Sequence, residues 1–340
     1  MLVSKKRFPI KQILLYGFLP SPLKKVVYRL KGYEIGKNVS FGLGSVVIGD
    51  QVKIGDNSSI GFLSVVKAKR IKIGRFVKIG ATALIDTVNF EIGDDSRINE
   101  QVFVGGIKTP QSSLVIGQRA IIMQMSFINP TLPITIGDDT GIGGHCLLFT
   151  HGSWSSMLDG YPVSFAPINI GAKVWLPWRV FVLPGVSIGE GSVIGADSTV
   201  NKNIPPASLA AGSPAKVLKT PFPNALSESE KLKHMIDIFD QFFDYIEGNG
   251  IDVKRTHDGS SQVFKIKIGR KKFSIFYSEE PINDSMTDAA AVFVGWNKIN
   301  ANECACQFDL KSSERIGSNA AGEELAGFLS RYGIRFKRLD

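Results

Sequence analysis

Eight Ile-Gly pairs pace the first part of this chain. Ile35-Gly36, Ile54-Gly55, Ile73-Gly74 and Ile92-Gly93 recur every 19 residues, and Ile116-Gly117, Ile136-Gly137, Ile170-Gly171 and Ile188-Gly189 carry the series on at longer intervals. A finer period of six runs inside the units. Ile54, Gly55 and Ser58 are followed by Ile60, Gly61 and Ser64; Ile188, Gly189 and Ser192 are followed by Ile194, Gly195 and Ser198. An aliphatic residue opening each six-residue edge and a small residue four places later both point inward. Gly or Asn at the turn is expected to supply backbone angles that other residues resist. Three such edges close a triangular coil of about 18 residues, and a coil buries its apolar stripe only by stacking on its neighbours. Eight markers predict roughly eight to ten coils. An α-helical reading is excluded, because no 3.6-residue period is present and β-branched residues and glycine dominate.

The rhythm breaks twice. Ile92 to Ile116 is 24 residues and Ile136 to Ile170 is 34. The second break begins right after His151, one of only four histidines, and its inserted stretch GSWSSMLDGYPVSFAP is polar and aromatic with no sixfold order. Loops that interrupt a rigid scaffold tend to carry function. The spacing therefore predicts His151 on the last rigid edge, with the following loop walling a site.

From Ile136 onward the motifs come in a specific order. His151 precedes the loop; then come Val174-Trp175-Leu176-Pro177, Pro184-Gly185-Val186, Ile188-Gly189, Ile194-Gly195, Ile204-Pro205-Pro206 and Ala211-Gly212-Ser213-Pro214-Ala215-Lys216-Val217. This order resembles the maltose/galactoside and xenobiotic O-acetyltransferase branch of the hexapeptide-repeat acyltransferases. The sixfold pattern covers residues 33–219. The resemblance implies a mainly β fold, a left-handed parallel β-helix, assembled as a homotrimer with active sites between subunits. It implies a CoA-dependent acyltransferase moving an acetyl group from acetyl-CoA to a sugar hydroxyl of a glycan or polysaccharide precursor. His151 would be the general base and Asn129 would bind the acceptor. The cofactor-binding positions would be Trp178, Ala196, Asn201, Lys202, Lys216 and Lys219, the lysines meeting phosphate. One departure is plain: relatives usually carry Gly and a small residue where this chain has Pro177-Trp178, so a bulky ring stands near the expected course of the thiol arm.

The chemistry fits those residue types. A hydroxyl is a poor nucleophile until its proton is taken in the transition state, and an imidazole can take it at neutral pH. Lysine donates hydrogen bonds to phosphate as a point charge. His145, after Gly143-Gly144, reads as a structural corner residue, and Asp159 and Tyr161 read as solvated loop residues.

The N-terminal arm, residues 1–32, holds eight Lys/Arg and no acid before Glu34. It is too short in its apolar run to span a bilayer. It reads as a basic helical arm that either caps the adjacent domain or lies on an anionic membrane. Residues 220–226 read as a linker and 227–340 as an α+β domain of unassigned role. That domain opens with a helix capped by Ser227 and Glu230, with a stripe of Leu232, Met235, Ile236, Phe239, Phe242, Phe243 and Ile246. Strands are expected at 261–268, 272–278 and 291–296, a turn at Gly269-Arg270, and a last helix near 320–332.

Net charge is +9, which suits a phosphorylated cofactor as well as other polyanions. No basic-aromatic pattern points to nucleic acid. Three cysteines exclude a disulfide framework and fit a reducing, cytoplasmic setting, with peripheral contact at the inner face of a membrane left open. Cys304 and Cys306 read as ordinary thiols. A zinc hydratase of this fold would need three histidines, and the coil region has His145 and His151 alone, so no metal is expected. Two alternatives stay open: N-acetyl transfer to an amino sugar, nucleotide-linked or not, and a non-catalytic β-helix scaffold or binding protein.

Overall fold

The computed structural model describes residues 9–258, 261–268, 271–278, 291–296 and 306–339. The chain divides into two compact units, Met1–Asn224 and Ala225–Asp340.

The first unit is the left-handed parallel β-helix. Its three faces are sheets of eight, ten and eight strands; strands pair in parallel with those one coil away, and the ten-stranded face ends in one antiparallel strand, Ala215–Lys219. The Ile-Gly marker isoleucines stand in register along one face. Ile35 pairs with Ile54, Ile54 with Ile73, Ile73 with Ile92, and the row continues through Ile116, Ile136 and Ile170 to Ile188. All of them are buried, as are the second-edge residues such as Ile60, Ile79 and Ile98. The core is therefore one continuous column, which is why no coil is stable alone.

The small residues near the corners do more than fit. Ser58 Oγ donates to the Gly74 carbonyl at 2.8 Å and accepts from the Val77 N–H at 3.0 Å. Ser64 makes the same pair of bonds with Gly80 and Ala83. A buried hydroxyl thus ties each corner to the next coil and satisfies backbone groups that the strands release.

The glycines differ from expectation. The left-handed corner residues are mostly not glycine: Asn57, Leu63, Phe76, Thr82, Asp95 and Gln101 all have positive φ. The glycine after each marker isoleucine is required for closeness instead. A Cβ on Gly55 would lie 2.6 Å from the Gly74 carbonyl carbon, against the backbone of the coil above. Coil spacing, rather than backbone angle, selects glycine there.

The arm consists of the short helix Ile10–Gln12, a π-turn Ile13–Gly17 and the helix Ser21–Leu30. It replaces the coil that would precede the first one. Ser21 Oγ accepts the Phe41 N–H at 3.0 Å and Tyr28 OH accepts the Val47 N–H at 2.9 Å. Lys24, fully buried, donates to the carbonyls of Gly42 at 2.6 Å and Ser45 at 3.0 Å. Burial pushes the Lys24 ammonium down to about 8. Among the described residues no helix is long and apolar enough to cross a membrane.

At the other end the hairpin Leu209–Gly212 with Ala215–Lys219 closes the ten-stranded sheet. Ser208 and Thr220 share a hydrogen bond of 2.7 Å, and the Phe222 N–H reaches the Ala207 carbonyl at 2.8 Å. The start of the expected linker is therefore bound to the coil unit, and the boundary between units falls after Asn224.

The second unit is α+β. Helix Glu228–Gly248 has the expected capping box of Ser227 and Glu230. Its buried face includes Ile238 as well as Met235, Phe239, Phe242, Phe243 and Ile246, while Leu232 and Ile236 are only partly buried. Among the described residues the sheet has seven strands, four more than the sequence suggested: Val253–Asp258, Cys306–Asp309, Glu314–Gly317 and Lys337–Arg338 join Ser261–Ile268, Lys271–Ser278 and Ala291–Gly295. Three of the four are short, and all four lie where turn signals and charges mask the alternation. Helix Ala320–Leu329 closes the unit. The Gly269-Arg270 turn and Cys304 lie outside the described residues. Cys146 and Cys306 are buried.

Candidate active site

Both breaks in the repeat emerge from the same edge of the prism. The shorter insertion leaves strand Phe103–Val104, the longer leaves Leu147–Phe149, and strand Phe127–Asn129 lies between them in register. Three consecutive coils therefore present their exits side by side: Gly105–Lys108, Asn129–Thr131 and Thr150–His151. They line one cleft, with Phe103, Gly106, Phe127, Asn129 and His151 at its walls.

The segments are pinned to one another. Thr109 Oγ1 donates to the Thr131 carbonyl at 2.6 Å and Ser112 Oγ to the Pro130 carbonyl at 2.6 Å, holding the first insertion down. The buried Thr150 hydroxyl donates to the Asn129 carbonyl at 2.8 Å and accepts from the Leu132 N–H at 3.0 Å. The second insertion leaves as a two-stranded ribbon in which His151 pairs with Phe165.

His151 sits at the base of that ribbon, half-buried. Its ring stacks on Phe165 with centroids 5.7 Å apart and lies parallel to Phe149 at 6.4 Å. Its Nδ1 is 3.3 Å from Thr131 Oγ1, and that hydroxyl is 3.0 Å from Asn129 Oδ1. Asn129 Oδ1 is an acceptor only, so Thr131 gives its proton to Asn129. The Thr131 oxygen then accepts, and Nδ1 must carry the hydrogen. In the neutral imidazole this arrangement puts the lone pair on Nε2. Asn129 is itself held: a Cβ on Gly106 would fall 1.8 Å from its Oδ1, so only glycine leaves room for it.

The first insertion also carries an ion pair. Asp86, almost fully buried, pairs with Lys108 from the first insertion and lies 3.9 Å from Lys67 Nζ. Two cations face one carboxylate there.

Sequence comparison places the scaffold. No family model matches the chain. A Staphylococcus aureus protein named as an acetyltransferase is 64% identical over 53 residues, which is 16% of this chain and 27% of that protein. An Escherichia coli protein named for acetyl transfer in colanic acid biosynthesis, WcaF, is 42% identical over 86 residues, 25% of this chain and 47% of that protein. Over these segments the β-helix is similar to proteins named as acetyltransferases. The chain spans between about a quarter and a half of the length of these curated relatives. Among solved structures, the polysialic-acid-specific acetyltransferase NeuO is 25% identical, covering 58% of this chain and 88% of its own, with a TM-score of 0.34. A galactoside acetyltransferase in complex with coenzyme A is 22% identical, covering 65% and 86%, with a TM-score of 0.28.

His151 and Asn129 line the same cleft. The positions assigned to cofactor do not gather around them within one chain. Trp178 and Ala196 lie at the corner that opens the sheet, at the far end of its strands from His151. Trp178 packs there on Gly144 and His145, its ring 5.6 Å from the imidazole of His145. Asn201 and Lys202 are exposed on the His151 edge, beyond strand Thr199–Val200. Lys216 and Lys219 are exposed on the closing hairpin, where Lys219 donates to Asn224 Oδ1 at 3.0 Å. Asp159 and Tyr161 are exposed in the loop, as read.

Sequence reasoning missed Thr131, Gly106, Phe165 and the Asp86–Lys108 pair. The signal for Gly106 and Lys108 was the 24-residue gap, whose five extra residues hold both. Thr131 and Phe165 left no signal, since their contacts depend on register between coils.

Proposed function

We propose that this protein transfers an acetyl group from acetyl-CoA to a hydroxyl of a saccharide, with His151 as general base. The observation that carries it is the chain Asn129–Thr131–His151 at the wall of an open cleft, which favours the neutral tautomer whose lone pair is on Nε2. Nε2 takes the proton of the acceptor hydroxyl as its oxygen forms a bond to the thioester carbonyl carbon. The tetrahedral intermediate then expels the CoA thiolate, which receives that proton from Nε2. In between, the imidazolium is stabilised by Thr131 at Nδ1 and by the faces of Phe165 and Phe149. Phe103 and Phe127 offer apolar faces on which a sugar ring can rest. The similarity to curated acetyltransferases supports the donor, and the name of WcaF, a colanic acid biosynthesis acetyltransferase, supports a polysaccharide precursor as acceptor.

A homotrimer fits this reading. Trp178 and Ala196 stand away from His151 in a single chain, so a neighbouring subunit would complete the donor site. A row of half-exposed rings on the outer face of that sheet, Phe103, Phe127, Phe149 and Phe181, supports a covered face there. Trp154 and Leu158 in the second insertion are fully exposed on the lone chain, which supports the same assembly.

The test is titration calorimetry with acetyl-CoA, followed by thiol-release kinetics over a panel of neutral, amino and acidic sugars. Binding of acetyl-CoA with turnover on a sugar hydroxyl is expected. His151→Ala should keep binding and lose kcat by roughly a hundred- to ten-thousand-fold. Absence of acetyl-CoA binding in the wild type would overturn the reading.

A further inference from the structure

The helix Ser21–Leu30 is built inside out. Its inner face carries Ser21, Lys24 and the Tyr28 hydroxyl, and these meet the open backbone edge of the first coil. Its outer face carries Leu23, Val26 and Leu30, three to four residues apart and opposite Lys24. Lys24 is 0% exposed while Leu30 is 83% exposed on the same helix. The inner polarity is explained by the unpaired strand it must satisfy. No described residue of this unit covers the outer side chains, each of which costs free energy in water.

The apolar surface continues beyond that helix. Ile10, Leu14, Leu15 and Phe18 of the preceding turns are also more than half exposed. Seven large apolar side chains thus crowd the outer surface of a 21-residue arm, among the exposed cations Lys11, Arg29 and Lys31. The sequence has no acid before Glu34. Leucines and a phenylalanine flanked by Lys and Arg, with no acid, are the composition of a helix that lies in the plane of a lipid interface. The uniform positive sign selects negatively charged headgroups, each basic residue near such a surface adding about 1 kcal/mol at low salt. A second protein copy bearing this same face would bring like charges together, which disfavours self-association through it.

We propose that the N-terminal arm docks this protein onto an anionic lipid bilayer by the face of Leu14, Leu15, Phe18, Leu23, Val26 and Leu30. The inner face caps the β-helix while the outer face enters the headgroup layer. The arrangement is independent of the chemistry assigned to His151.

The experiment is co-sedimentation of the full chain with vesicles of phosphatidylcholine alone and of phosphatidylcholine mixed with phosphatidylglycerol. Strong partitioning to the mixed vesicles is expected, with weaker binding to phosphatidylcholine and loss at high salt. Leu23→Gln/Leu30→Gln should lower the partition coefficient on the order of ten-fold per leucine. Its circular dichroism melt and oligomeric state should match the wild type, since both side chains face outward. Failure of the wild type to bind mixed vesicles, equal binding to both vesicle types, or unchanged binding by the double variant would each overturn the proposal. A change of oligomeric state in the variant would overturn it too, by assigning the face to a subunit contact.

Discussion

Thr131 and His151, twenty residues and one coil apart, meet where the Thr131 hydroxyl lies 3.3 Å from Nδ1 of the imidazole. The direction of that hydrogen bond is set one step further back, at Asn129. The pair therefore fixes a tautomer, and through it the atom available to an acceptor.

Replacing Thr131 by valine keeps its volume and removes the hydroxyl. On the proposed mechanism kcat should fall roughly ten- to a hundred-fold, the usual cost of removing a group that orients a catalytic imidazole. Acetyl-CoA affinity should stay the same. Steady-state kinetics and calorimetry on Thr131→Val check both; an unchanged kcat would remove Thr131 from the mechanism.

A Cβ at residue 106 cannot coexist with Asn129 in its present position. Gly106→Ala should displace the Asn129 side chain and raise the acceptor KM by roughly ten-fold, about the loss of one hydrogen bond to a bound ligand. Thermal stability should move little, since this glycine sits in a surface insertion. A KM equal to wild type would place the acceptor elsewhere.

Ser58 serves two backbone groups of the next coil at once. Ser58→Ala leaves the buried Val77 N–H without its acceptor and should destabilise the β-helix by about 1–3 kcal/mol. Urea denaturation followed by circular dichroism measures it. Asn38→Ala, at an exposed corner, serves as the control and should cost less.

Lys24 gives a pH signature. Burial lowers it to about 8 from an ordinary 10.5. Between those two values the unfolded chain still holds a proton that the folded chain has released. Stability from this group therefore rises with pH across that window and is lowest below it. The difference in unfolding free energy between wild type and Lys24→Met, measured at pH 7.5 and again at pH 10, should shift in favour of the wild type at the higher pH. No shift would mean the carbonyls of Gly42 and Ser45 offset the burial.

The β-helix was legible because its constraint is local and repeated. An isoleucine column and a serine near each corner recur at fixed spacing, so each coil restates the rule. His151 and Asn129 were legible by their place around the gaps in that rule. Thr131 was not, because nothing in the sequence says which hydroxyl faces which ring until coil register is known. The glycines were read for the wrong reason: the signal was correct, but close approach of the next coil selects Gly55, while Phe76 and Leu63 occupy the left-handed corners. Trp178 is placed by resemblance near a cofactor, and in the single chain its ring packs on His145. In the second unit, short strands such as Glu314–Gly317 are fixed by their partners and left no period to read.

The arm that fills the place of a preceding coil also settles how long the structure can grow. A parallel stack presents at each end the same unpaired edge that every internal coil presents to its neighbour, so an uncapped end would accept another molecule's end and propagate into a filament. With Ser21, Lys24 and Tyr28 occupying the first edge and the hairpin Leu209–Gly212 with Ala215–Lys219 turning back on the last face, the stack is finite. Deleting residues 1–32 should therefore open the first edge alone and let two chains join end to end, a doubling of mass that the hairpin at the other end stops from growing further.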